Sequence, residues 1–125
     1  NSKPADVITV FEALQGLGNL YSIFLSGEFV GLIQKIRMEQ GDVHIGRFLI
    51  NPARTGEGIG TYALTEFINR IFADSSVSSI SLTVLAHNIE ARSLYEKLGF
   101  VTYEVADHPR EKLLMRRMRD GLFQG

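Results

Sequence analysis

Three glycines on alternate positions, Gly56, Gly58 and Gly60, form the part of this sequence that is best suited to bind a ligand. They follow an apolar segment that ends at Ile50, and a helical pattern begins directly after them. The first amide groups of a helix have no partner inside it, and they give its N-terminus a partial positive charge. Because glycine has no side chain, a phosphate can approach this backbone closely. The segment 46–60 therefore predicts a strand, a glycine loop and a helix that hold a phosphate-bearing ligand on backbone amides.

The same glycines have a plainer interpretation, in which the loop only needs backbone angles that other residues avoid. A nucleotide P-loop is disfavoured because no Gly-Lys-Ser or Gly-Lys-Thr closes the loop. A dinucleotide-binding fold has a carboxylate at the end of the next strand. That strand ends here in Val84-Leu85-Ala86-His87, which contains no acidic residue, so this fold is disfavoured. The loop is therefore either an anion site or a structural turn.

Length and composition describe a single domain over residues 1–125. Of the 125 residues 45% are hydrophobic, which is ample for a packed core, and the formal net charge is −1. This balance does not favour nucleic acid or an acidic membrane as the partner. The chain has no cysteine, which excludes disulfides, thiolate metal sites and a cysteine nucleophile, and its three dispersed histidines argue against a metal site. No membrane-length apolar run or signal peptide is visible, so we expect a cytoplasmic protein.

Hydrophobic periodicity and turn residues predict the elements that position the loop. A short helix is expected at the front, with Val7, Ile8, Phe11 and Leu14 on one face, ended by Gly16 and Gly18. The other predicted elements, in chain order, are strands over Leu20–Leu25, Glu28–Arg37 and Val43–Ile50, a helix over Gly58–Ala73, a strand over Ser79–Leu85, a helix capped by Asn88 and ended by Gly99, and strands over Phe100–Val105 and Lys112–Met118. The first three strands are antiparallel, and a crossover helix makes the fourth parallel to the third.

A second motif lies about thirty residues after the glycine loop and reads Asn-Ile-Glu-Ala-Arg-Ser-Leu-Tyr-Glu-Lys-Leu-Gly-Phe over residues 88–100. Together the two motifs resemble the GNAT superfamily of acetyl-CoA-dependent N-acetyltransferases, over residues 20–118. The resemblance implies an α/β (α+β) fold with a central mixed, mostly antiparallel sheet, helices on both faces and a short N-terminal part. It also implies transfer of acetyl from acetyl-CoA to a primary amine by direct attack in a ternary complex, without a covalent enzyme intermediate.

Two features depart from the family pattern. The family's loop motif, Gln/Arg-x-x-Gly-x-Gly/Ala, aligns its small residues on Gly58 and Gly60. This alignment puts Thr55 where Gln or Arg is usual, with Arg54 one residue early. The family also usually begins with a strand and two helices that cover the acceptor site, and only a short segment precedes the first hairpin here. We therefore expect an open acceptor pocket, one completed by a second subunit, or a chain that is not complete.

The resemblance places acyl-CoA in a V between the strand ending at Ile50 and the strand ending at Leu85. Main-chain groups of the first strand would bond the pantetheine, and an amide near Phe48 would polarise the thioester carbonyl. Loop amides would hold the pyrophosphate. Asn88 matches a residue that bonds the CoA arm, or it only caps its helix. The residues implied for the cofactor are Phe48, Leu49, Ile50, Thr55, Gly56, Glu57, Gly58, Ile59, Gly60, Thr61, Asn88 and Tyr95.

Tyr95 matches the family's general acid, which protonates or hydrogen-bonds the departing thiolate. Its plainer interpretation is an aromatic side chain on the buried face of a helix. The two roles make different demands on the phenol, since only the first needs its hydroxyl at the reacting sulfur.

His44 occupies the strand position where some family members carry a glutamate base, and an imidazole with a pKa near ~6.5 suits proton removal from an ammonium. Regular strand alternation predicts that His44 shares a face with Phe48 and Ile50, and that Arg47 lies on the opposite face. The plainer interpretation is a surface histidine, with water relaying the proton. Other candidates for the base are Asp42 and Glu39.

Two further functions fit the sequence: a GNAT-like module that binds acyl-CoA without chemistry, and a nicotinamide-dependent reductase. Thr55 and the short front end motivate the first. The expected partners are acetyl-CoA and an amine acceptor, either a small molecule or a protein amino group, with no nucleic acid, membrane or metal and possibly a homodimer. The sequence does not identify the acceptor.

Overall fold

A computed structural model describes residues 8–12, 20–54 and 58–119 as one seven-stranded sheet with two helices. The strands are β1 (Ile8–Glu12), β2 (Leu20–Leu25), β3 (Glu28–Glu39), β4 (Asp42–Ile50), β5 (Ser79–Leu85), β6 (Val101–Ala106) and β7 (Lys112–Met118). The helices are α1 (Ile59–Phe72) and α2 (Ile89–Lys97), and a short 3-10 turn covers Pro52–Arg54. Neither helix has the length and apolar character that a transmembrane segment requires.

The sheet is mixed and mostly antiparallel, with the strand order β1-β2-β3-β4-β5-β7-β6. Only the β4–β5 pair is parallel, and α1 is the crossover that joins these two strands. The other adjacent pairs are antiparallel. This confirms the α/β fold class, including the parallel pairing predicted from the crossover helix.

Helix α1 forms because its apolar residues recur at three- and four-residue spacing and can all face the sheet. Its buried residues are Ile59, Ala63, Leu64, Phe67, Ile68 and Ile71. They pack with the buried side chains of β4 and β5, such as Ile45, Ile80 and Leu82, in one core. Helix α2 adds Ala91, Leu94, Tyr95 and Leu98 to the same core.

The first predicted element is wrong, because β1 (Ile8–Glu12) is a strand and not a helix. Three consecutive β-branched residues, Ile8, Thr9 and Val10, favour an extended backbone, and β2 offers an edge for antiparallel pairing. The predicted helix end at Gly16 and Gly18 lies outside the described residues. Because Ile8–Glu12 forms a strand, the described residues contain two helices. Both pack against one core on one face of the sheet, and no described helix covers the other face, called here the second face.

One position of this sheet must be glycine because two strands approach each other closely there. Gly31 on β3 pairs with Ile50, the last residue of β4. A Cβ atom at Gly31 would overlap the main-chain oxygen of Leu49. A carbonyl in a paired strand cannot move aside as the end of a flexible side chain can, so this position requires glycine.

We expect Gly31→Ala to lower the free energy of unfolding by about 1–3 kcal/mol, the usual cost of overpacking a tight site. Gly60→Ala is the matched control. Its added Cβ would meet only ordinary contacts, the nearest being Leu94 Cδ2 at 3.7 Å. Replacing a helical glycine there should leave stability unchanged or raise it by up to about 1 kcal/mol. Urea unfolding of both variants measures the difference, and equal stabilities would contradict this account of Gly31.

Candidate active site

The parallel ladder between β4 and β5 is short. It consists of four residue pairs, from Asp42–Ser79 to Ile45–Leu82. Beyond that point β4 continues to Ile50 and β5 to Leu85 without pairing to each other. The two strands therefore form a fork, and the main-chain groups of β4 on the side of the fork are not used by this ladder.

An irregularity in β4 lies at the point where the fork opens. Lys35 pairs with Ile45, but the neighbouring pairs are Gln34–Arg47 and Arg37–His44, so Ile36 and Gly46 have no register partner. A Cβ atom at Gly46 would overlap the side chain of Ile36. Such bulges bend a strand and add a residue to one side of the pairing.

This bulge corrects the prediction about the face of His44. Val43 and Ile45 lie in the core before the bulge, and Phe48 and Ile50 pack against the same core after it. The extra residue reverses the alternation, so His44 lies on the face opposite Phe48 and Ile50. Leu49 and Arg47 are exposed, and Arg47 lies opposite Phe48 and Ile50 as predicted but on the same face as His44.

The tip of α1 lies beside the open end of the fork. Gly58 is the N-cap residue and has a left-handed backbone, with φ of 78°. No side chain among the described residues caps the helix there, which leaves the first amides, those of Ile59, Gly60 and Thr61, directed beyond the helix. The predicted loop residues Thr55, Gly56 and Glu57 lie outside the described residues.

A cavity of about 490 Å³ joins the tip of α1 to the end of β4 and the start of α2. Its walls include Ile50 from β4, Gly58 and Gly60 from the tip of α1, and Ser93 and Leu94 from α2. The ring of Phe48 and the side chain of Ile50 lie 3.8 and 3.9 Å from the place of the missing Cβ of Gly60, which are ordinary contact distances between the tip of α1 and β4. The structure thus brings three separate parts of the prediction to one cavity.

Arg54 also lines this cavity. Its guanidinium Nη1 lies 2.6 Å from Glu28 Oε1, and the side chain is 24% exposed. In the sequence Arg54 lies one residue before the usual basic position of the motif. The 3-10 turn Pro52–Arg54 nevertheless places its side chain on the wall of the cavity.

Asn88 is the N-cap of α2, as predicted, and its side-chain oxygen accepts a hydrogen bond from the Ala91 amide at 3.2 Å. Asn88 is exposed. This contact accounts for the residue as a helix cap.

Tyr95 lies on the core side of α2, and its ring meets the ring of Phe100 edge to face, with centroids 5.9 Å apart. Burial raises the pKa of the Tyr95 phenol above its ordinary value of 10.0. The phenol therefore stays protonated through neutral pH, which is the state that a hydrogen-bond donor or general acid requires.

A polar cluster on the second face of the sheet was not predicted. Because β4 and β5 are parallel and in register, Asp42 lies beside Ser79 and His44 beside Ser81. Both serines are buried, and both donate to the carboxylate of Asp42. The alternation of β5 places its serines on the face opposite Ile80 and Leu82. The sequence predicted that β4 and β5 are parallel but not which residues pair. The register of this pair is the information that would have revealed the cluster.

The Acetyltransferase (GNAT) family model matches residues 2–100. Among solved structures, a chimera of Vibrio cholerae spermidine N-acetyltransferase SpeG and hSSAT is 18% identical, with a TM-score of 0.74, over 79% of this chain and 65% of that chain. Mycobacterium smegmatis RimJ in complex with CoA-disulfide is 24% identical, with a TM-score of 0.73, over 85% of this chain and 56% of that one.

Arabidopsis thaliana Naa50, in complex with the bisubstrate analogue CoA-Ac-MVNAL, is 22% identical, with a TM-score of 0.70, over 80% of this chain and 72% of that one. The chain thus spans between 56% and 72% of the length of these three structures. At such identities the structures establish the fold, and the family model, which matches most of the chain, establishes the family. The chain belongs to the GNAT family of acetyltransferases.

Proposed function

We propose that this protein transfers an acetyl group from acetyl-CoA to a primary amine by direct attack in a ternary complex. The observation that carries the proposal is the meeting of the β4–β5 fork and the uncapped tip of α1 at one cavity. A pantetheine chain needs exposed main-chain groups along its length, and a pyrophosphate needs a cluster of amide donors. The fork supplies the first and the helix tip supplies the second, side by side.

The phosphate end of CoA would lie on the amides of α1, with Thr55, Gly56 and Glu57 completing the loop as the family motif implies. Arg54, on the cavity wall, adds a cation next to that position. Main-chain groups of Phe48, Leu49 and Ile50 would bond the pantetheine along the open side of β4. The similar proteins of known structure include complexes with CoA-disulfide and with a CoA bisubstrate analogue, which supports this choice of cosubstrate.

In the reaction the amine nitrogen forms a bond to the thioester carbon while the carbon–sulfur bond breaks. An amide near Phe48 would hold the negative charge that develops on the carbonyl oxygen. Tyr95 would give its proton to the departing sulfur and would recover one from the nitrogen. The phenol of Tyr95 is protonated at neutral pH, which proton donation requires, although burial raises its pKa and so makes it a weaker acid.

A base must take the other proton from the incoming ammonium, and His44 is the candidate. It pairs with Ser81 one residue before the last pair of the ladder, so it lies at the closed end of the fork. Its side chain is on the face opposite the core. An amine that approached the fork from this second face would reach the thioester from the side opposite α1.

The proposed acceptor is a primary amine, either of a small molecule or of a protein. Similar proteins include a spermidine N-acetyltransferase and a protein bound to a bisubstrate analogue made of CoA and an acetylated peptide. A polyamine and a peptide N-terminus present different surroundings to the same reacting nitrogen. The transfer proposed here needs only that nitrogen.

One contact on the cavity wall lowers the expected affinity for CoA, and it does so equally for the transferase and for the alternative, a module that binds acyl-CoA without chemistry. Arg54, the basic residue of the cavity wall, already forms an ion pair with Glu28. This pair reduces the positive charge available to a phosphate. It weakens the expected affinity for CoA, and it leaves Tyr95 and His44 unaffected.

Binding is tested first, by thermal unfolding and isothermal titration with CoA. We expect CoA to raise the melting temperature, because a ligand that binds only the folded state stabilises it by mass action. Gly58→Ala should weaken CoA binding by about tenfold, since an alanine avoids the left-handed angles of the N-cap and the first amides would turn away. Gly27→Ala is the control: Gly27 also has a left-handed backbone, with φ of 86°, but it lies in the β2–β3 turn away from the cavity, so this variant should bind CoA as the parent does. Equal affinities of both variants would contradict the role given to the helix tip.

Turnover is tested with a panel of primary amines and detection of free thiol from acetyl-CoA. Tyr95→Phe keeps the ring that packs on Phe100 and removes only the hydroxyl, so folding and CoA affinity should be preserved. We expect kcat to fall by about a hundredfold, the usual contribution of a general acid. A parent protein that binds CoA but acetylates no amine would favour the binding module, and an unchanged kcat in Tyr95→Phe would remove Tyr95 from the mechanism.

A further inference from the structure

Three side chains on the second face of the sheet form a continuous hydrogen-bonded chain. His44 Nδ1 lies 2.8 Å from Ser81 Oγ, and Ser81 Oγ donates to Asp42 Oδ2 at 2.5 Å. Ser81 is 1% exposed, so water does not compete for its hydroxyl. The chain runs from β4 to β5 and back, across the first three of the four pairs of the parallel ladder.

The direction of these hydrogen bonds determines the state of the imidazole. A serine hydroxyl has one hydrogen, and Ser81 gives it to a carboxylate, which can only accept. Toward His44 the same oxygen must therefore accept, so the hydrogen between them belongs to Nδ1. A neutral imidazole with its hydrogen on Nδ1 carries its basic lone pair on Nε2.

Asp42 is held in place from two further directions. Ser79 donates to Oδ1 at 2.6 Å, and Arg116 Nε on β7 lies 3.5 Å from the same oxygen as an ion pair. The guanidinium of Arg116 in turn lies over the ring of Tyr103, 4.2 Å from its centroid. Both carboxylate oxygens of Asp42 thus have fixed partners, and Oδ2 is the one directed at Ser81.

We infer that Asp42 and Ser81 are positioning residues that fix His44 in the tautomer with the proton on Nδ1 and so make Nε2 the proton acceptor. This inference rests on the proposed function, in which His44 takes a proton from the ammonium. Nε2 accepts that proton directly or through one water, the imidazolium forms while Nδ1–H still donates to Ser81, and the proton then leaves to solvent. No oxidant, reductant or metal is required.

A purely structural network would make a different prediction. Hydrogen bonds that only hold β4 and β5 together would contribute stability, and the tautomer of His44 would have no effect on kcat. Ser79 and Ser81 separate these cases because both are buried, both donate to Asp42, and only Ser81 also touches His44.

The first test is spectroscopic and needs no acceptor. Two-bond hydrogen–nitrogen NMR spectra of the full chain distinguish the two neutral tautomers of each histidine. His87 and His108 are exposed and serve as internal references, and His44→Gln identifies the signals of His44. We expect the Nδ1–H tautomer for His44 in the parent and in Ser79→Ala, and its loss in Ser81→Ala. The Nε2–H tautomer in the parent, or an unchanged spectrum in Ser81→Ala, would overturn the inference.

Asp42→Asn provides a second variant should Ser81→Ala fail to fold. An asparagine amide can donate to Ser81, which releases the serine hydrogen to His44 Nδ1 and moves the imidazole hydrogen to Nε2. The population of the Nδ1–H tautomer should therefore fall in Asp42→Asn. A population equal to that of the parent would also overturn the inference.

The second test uses an amine found in the panel. His44→Gln should lower kcat by about a hundredfold and Ser81→Ala by about tenfold, with the KM for acetyl-CoA unchanged. Adding Ser81→Ala to His44→Gln should cause no further loss, because Ser81 acts only through His44. Ser79→Ala should stay within about twofold of the parent.

The outcomes separate the two proposals. A kcat that is the same in Ser81→Ala and the parent, or losses that simply multiply in the double variant, would overturn the positioning role and leave the acetyltransferase proposal standing. A parent that binds CoA and acetylates no amine, with the predicted tautomer present, would overturn the proposed function and with it the catalytic part of this inference.

Discussion

The site depends on the early end of one parallel ladder. After four pairs, β4 and β5 separate, and the irregular pairing of β3 and β4 around Ile36 and Gly46 coincides with that point. A bulge bends its strand and strengthens the local twist, which turns the rest of β4 away from a straight neighbour. Antiparallel pairing with β3 meanwhile continues to Ile50, so β4 stays ordered after it leaves β5. The result is an ordered strand with one unused edge inside the sheet.

The same bulge divides the site between the two faces of the sheet. Since it reverses the alternation of β4, Phe48 and Ile50 pack toward the core and the tip of α1, whereas His44 lies on the opposite face. In the proposed reaction the thioester carrier enters from the side of the helices and the base stands on the other side. Phe48 and Ile50, which face the carrier, and His44 all belong to β4, so the backbone of one strand fixes the distance between them.

Much of this arrangement could be predicted from the sequence, and the exceptions have physical causes. The buried face of α1 was predicted from the spacing of its apolar residues, and the cap of α2 was predicted from Asn88. Both features depend on residues close together in the sequence, so the sequence was sufficient to predict them. The segment Ile8–Glu12 was predicted as a helix from its spacing, but its pairing with β2 decided its conformation. The face of His44 could not be predicted by counting, since a bulge depends on the partner strand, and Gly46 is only its indirect sign in the sequence.

The polar cluster explains why the closed end of the fork can be polar and still stable. The two buried serines and the partly buried Asp42 would be costly if any of them lacked a partner, but each hydroxyl donates to the carboxylate and Arg116 lies against it. The cluster thus links the first to the third pair of the four-pair ladder, just before hydrogen bonding between β4 and β5 stops. A histidine placed there is oriented by groups that the fold already needs, so the proposed base requires no additional scaffold.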